Sequence, residues 1–123
     1  MLYQRDHDFR RRVRGREHEH PETLTSMSKL AVTLRGQGDL AEACKLREET
    51  LDIQRRLRGP EHAATTISAW NLLRTLQDSG EIAAELAALK RDLLWLLDRD
   101  PATLSADQRA VRAYVAEAVE KTG

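Results

Sequence analysis

Cysteine is almost missing from this 123-residue chain, and the single Cys44 excludes an internal disulfide. Charge of one sign is missing too. Twenty basic residues are matched by twenty acidic ones, so no global field draws the molecule onto nucleic acid or an anionic membrane. Long apolar runs are also lacking: the most hydrophobic stretch, 93–97, is bounded by Lys90-Arg91-Asp92 and Asp98-Arg99-Asp100. That is far short of the roughly 20 residues that span a bilayer. No glycine-rich phosphate loop, no G-x-S-x-G elbow and no convincing pair of cleft carboxylates occurs, which argues against an enzyme. Neither is there a charged-then-apolar leader, so a reducing, cytoplasmic setting is expected.

Aromatic residues are only 4% of the chain, whereas Leu, Ala, Arg and Glu dominate. These are good helix formers, because their side chains lose little rotamer freedom in a helix. Hydrophobic residues at 41% and charged residues at 33% supply a core without the excess charge of a disordered chain. One all-α domain over residues 1–123 is therefore expected.

Self-similarity is the strongest signal. Asp8, Arg11, Arg12, Arg14, Gly15, Glu17 and His18 recur 44 residues on as Asp52, Arg55, Arg56, Arg58, Gly59, Glu61 and His62. Leu30, Leu34, Gly38 and Leu51 recur 42 residues on as Leu72, Leu76, Gly80 and Leu93. A fixed period of this length means stacked supersecondary units. Pro21 suits a first helical turn, Gly38 and Gly80 suit left-handed caps, and Asp39 with Glu42 and Ser105 with Gln108 have capping-box spacing. Helices are predicted near 2–14, 21–36, 39–57, 63–78, 82–98 and 105–121. The organisation is a leading helix and connector (1–20), a first hairpin (21–62), a second, degenerate hairpin (63–100) and a closing helix (101–123). Leu24, Met27, Leu30, Ala31 and Leu34 should face Leu40, Ala43, Cys44, Leu51 and Leu57, with Val111, Tyr114, Val115, Ala118 and Val119 forming the closing stripe.

The run 20–27, His-Pro-Glu-Thr-Leu-Thr-Ser-Met, followed by Leu30-Ala31, Gly38-Asp39-Leu40 and Glu42-Ala43, resembles the long tetratricopeptide repeat of kinesin light chains and related bacterial proteins. The resemblance implies a short right-handed solenoid of antiparallel hairpins flanked by a helix at each end. It also implies a non-catalytic scaffold that grips a peptide or protein surface along the first helix of each hairpin. Matched residue by residue, the groove positions it implies are Thr25, Ser28, Lys29, Val32 and Arg35, then Ile67, Trp70, Asn71, Arg74 and Gln77, with Gln108 and Arg112 on the closing helix. Lys29, Arg35, Arg74 and Arg112 would make this wall basic and suited to acidic segments. Asn71 matches an asparagine of the members that clamp chaperone tails, but Val32 stands where they carry another, so the clamp is incomplete. Arg47 and Thr50 replace an aromatic and an alanine, and Glu85 and Asp92 replace small residues, so an irregular stack is expected.

Other features have plainer readings. Glu17-His18-Glu19-His20 carries possible zinc donors, but His18 repeats as His62, which suggests a connector. Arg10, Arg11, Arg12, Arg14 and Arg16 place cations at a helix C-terminus, where the dipole favours them, and nucleic acid is not expected as a partner. Cys44 lies on an apolar stripe and reads as packing. No cofactor and no metal is expected. Leu2, Tyr3, Phe9 and Val13 leave an uncovered face on the leading helix, which a homodimer or a longer array would cover.

Overall fold

The computed structural model describes residues 21–122, and its regular structure is entirely helical. Helices α1 (Pro21–Gly36), α2 (Leu40–Arg58), α3 (Ala63–Ser79) and α4 (Ile82–Asp92) form two hairpins, and α5 (Ala106–Thr122) follows two short 3-10 turns, Leu94–Asp98 and Pro101–Thr103. The predicted helix 2–14, its apolar face and the Glu17 to His20 loop lie outside the described residues.

Local chemistry explains each boundary. Pro21 opens α1 where no backbone donor is needed, and Gly38 at φ 82° ends the first turn between helices. Asp39 accepts a hydrogen bond from the Glu42 N–H at 3.3 Å and starts α2. His62 starts α3, its Nδ1 accepting from the Ala64 N–H at 3.0 Å. Gly80, at φ 76°, closes α3 in the left-handed conformation.

Two apolar clusters hold the hairpins. Leu24, Met27, Ala31 and Leu34 of α1 meet Ala43, Leu46 and Ile53 of α2. Leu51 of the same helix turns the other way, into a larger cluster with Leu72, Leu73, Leu89, Leu96 and Val115. Thus α2 is shared between both clusters and buries two faces. The expected α2 stripe needs correction on that account: Leu46 and Ile53 belong to it, whereas Leu57, in the last turn, is exposed. Val119 is also exposed, while Val111 and Val115 are buried as expected.

The expected helix 82–98 is not continuous. It stops at Asp92, and Leu93 takes φ −126° before the 3-10 turn. Trp95 Nε1 donates to the Asp92 carbonyl at 2.9 Å, which removes an acceptor from the helical ladder, and the Leu96 N–H bonds to Leu93 O instead. The Asp92 carboxylate is held from both sides: Oδ1 accepts from Arg55 Nη2 at 2.6 Å, and Oδ2 from Arg91 Nη2 at 2.7 Å. Arg91 also reaches Glu48 at 3.2 Å. A charged residue at a position suited to a small one is therefore accommodated by two guanidinium partners, and the second hairpin is shortened.

Candidate functional site

Helices α1 and α3 flank a cleft of about 320 Å³ whose third wall is α2. Thr25 and Ser28 on α1 and Ile67 and Asn71 on α3 line it, so four of the expected groove positions come together. Beyond Ile67 a second recess of about 260 Å³ opens between α3 and α5, walled by Trp70, Ala110 and Val111 and edged by Asp107. Trp70 is shared between this recess and the larger apolar cluster. Its ring meets Tyr114 edge-on at 4.8 Å, Arg74 lies over it at 5.7 Å from the centroid, and part of the indole still faces the recess.

Other expected positions behave differently from one another. Lys29 and Val32 are exposed on α1, Val32 at 58%, and line neither recess. Arg35 bridges to Asp78 at 2.5 Å, tying the ends of α1 and α3, so its charge is paired. Gln77 donates to Glu85 Oε2 at 3.1 Å and to the Tyr114 hydroxyl, linking α3 to α4 and α5.

The two positions on the closing helix require correction. Gln108 is only 5% exposed. Its Oε1 accepts from the Ser105 N–H at 3.1 Å while its own N–H binds Ser105 Oγ at 3.1 Å, a full reciprocal capping box. Its Nε2 donates to Glu61 O and Thr66 Oγ1, fastening α5 to the start of α3. Arg112 donates to the carbonyls of Leu96 and Leu97 at 3.0 and 3.3 Å at the end of the 3-10 turn, where the Leu96 carbonyl also accepts from the Arg99 N–H. Both side chains are joints of the fold. Replacing Gln108 with alanine should lower stability by about 1–3 kcal/mol, because it removes the cap together with both hydrogen bonds that tie α5 to the start of α3. Urea unfolding of Gln108→Ala measures this, and a change below about 0.5 kcal/mol would contradict it.

The cations that the cleft does hold come from α2. Arg58 lines it at the mouth and Arg47 in the wall. Arg47 is 7% exposed; its Nη1 donates to Ser28 Oγ at 3.0 Å, and its Nε has no hydrogen-bond partner. Burial, and secondarily Arg35, hold the guanidinium below its ordinary pKa. Gln54 Oε1 in the same cleft is likewise buried and unpartnered. The replacement of a family aromatic by Arg47 was visible in the sequence, but its burial was not.

Among the described residues, no group of three or more His, Cys, Asp and Glu side chains is placed to hold a metal. Burial raises the Cys44 thiol pKa, and Glu81 raises it further, which disfavours a thiolate. No helix among the described residues is long and apolar enough to cross a membrane.

Comparison with known proteins agrees with this architecture. A tetratricopeptide repeat family model matches residues 22–91, more than half of the chain. The chain belongs to the tetratricopeptide repeat family, whose repeats generally mediate protein–protein interaction and are generally non-catalytic. No curated protein and no solved structure matches it.

Proposed function

We propose that the face formed by α1 and α3 binds an extended or helical segment of another protein, and that this segment is acidic. The carrying observation is the pair of adjoining recesses, one polar and cationic beside Arg47 and Arg58, the other apolar beside Ile67 and Trp70. The contact set is Thr25, Ser28, Ile67, Trp70 and Asn71 from the two recesses, with Arg74 over the Trp70 ring and Lys29 and Val32 at the open edge. A half-buried indole held by Tyr114 is already ordered, so packing a partner side chain on it costs little further entropy. The kinesin-light-chain-like long repeat is part of the same proposal, supported by helices of 16 and 19 residues in the first hairpin.

Peptide display against the whole chain tests this reading. Selected peptides should be rich in Asp and Glu, and the Trp70→Ala/Arg74→Ala variant should weaken their binding at least about tenfold while remaining folded. Undiminished binding to that folded variant would remove the face from consideration.

A further inference from the structure

Arg47 poses a problem of electrostatics. Arginine stays protonated in proteins, and a buried charge ordinarily has a counter-ion. Among the described residues no acidic side chain lines the cleft: α1 contributes Thr25 and Ser28, α3 contributes Ser68 and Asn71, and α2 adds a second cation, Arg58. Asp78, in the last turns of α3, is paired with Arg35. Arg47 Nε is left with an unused N–H. Ser28 Oγ accepts from Arg47 and so keeps its own hydroxyl hydrogen for another acceptor.

We propose that Arg47 is an anchor for one carboxylate, the side chain of a Glu or Asp in the bound segment, which enters the cleft between α1 and α3. The inference rests on the groove reading above and deepens it by locating the acid-recognising subsite in the wall on α2. A carboxylate accepts two hydrogen bonds at once, from Arg47 and from the Ser28 hydroxyl, and one negative charge balances one buried guanidinium. The orphan acceptor Gln54 Oε1 favours a peptide over a free anion. A peptide brings a backbone N–H within a few bonds of its carboxylate, and that N–H satisfies Gln54 while the acid satisfies Arg47.

The test uses the intact chain labelled with nitrogen-15 and three small probes at matched ionic strength: N-acetyl-glutamate amide, N-acetyl-glutamine amide and inorganic phosphate. The Arg47 Nε–H resonance, assigned by its loss in Arg47→Met, is followed in each titration. The glutamate probe should shift it saturably, with half-saturation at least about tenfold below that of the glutamine probe or of phosphate. In Arg47→Met the saturable shifts at Ser28 and Gln54 should vanish, and Arg47→Lys, which keeps the charge but lacks the planar fork, should weaken the probe about threefold or more. An Arg47 resonance that does not move with glutamate, responds equally to glutamine, or prefers phosphate overturns the proposal. Because these probes need no selected peptide, such a failure is distinct from a failure of the face at Trp70 and Arg74.

Discussion

Replacing Asp92 with alanine is expected to lower stability by about 2–4 kcal/mol, with a fall in melting temperature on the order of 10 °C. The Asp92 side chain is 4% exposed and lies between two guanidinium groups. Removing one partner of a buried pair leaves the others uncompensated, and costs about 3–5 kcal/mol where every partner is buried. Arg55 and Arg91 are 34% and 50% exposed, so water recovers part of that loss. Asp92 also ends α4, and its network reaches Glu48 on α2, so the loss should loosen the second hairpin from the first. Asp92→Asn preserves the shape without the charge and should fall between the two. Urea unfolding gives both values, and an alanine variant within about 0.5 kcal/mol of the parent would show that the network contributes nothing.

Arg47→Met should act in the opposite sense, raising stability by about 1–2 kcal/mol. Apolar replacement of buried charged groups is often neutral or stabilising, by about 1–4 kcal/mol. Methionine is flexible enough to fill the wall beside Met27 and Thr50 without strain. Ser28 loses only a donor to its oxygen, and it is half-buried and within reach of water. A gain in the denaturation midpoint, accompanied by loss of acid recognition, would mark a residue whose burial is unfavourable to folding and useful to binding. A loss of more than about 1 kcal/mol would instead mean that Arg47 supports the fold through a partner in solution.

The fold was legible because its determinants are local and repeated. Glycine caps, Asp39 and Ser105 at helix starts, and leucines at helical spacing are each read within a few residues. The break at Asp92 was not legible, since it depends on Trp95 reaching back to a carbonyl and on Arg55 arriving from another helix. The lining of the candidate cleft was legible in part. Thr25, Ser28, Ile67 and Asn71 are positions that the family resemblance implies, whereas the fates of Gln108 and Arg112 depend on how α5 meets the start of α3 and the 3-10 turn. Arg47 departs from the family pattern in the sequence itself. Only the packing of α1, α2 and α3 around it turns that departure into a buried, unpaired cation.

The early end of α4 has a consequence for symmetry. Helix α2 runs 19 residues and α4 only 11, so the second hairpin cannot present to α5 the long flank that the first presents to α3. Instead α5 is fastened to α3 through Gln108 and to the 3-10 turn through Arg112. The step from the first hairpin to the second and the step from the second to α5 therefore rest on different contacts. If the proposed face binds a segment with a periodic sequence, that segment would meet non-equivalent neighbours at each advance and would be recognised in one register only.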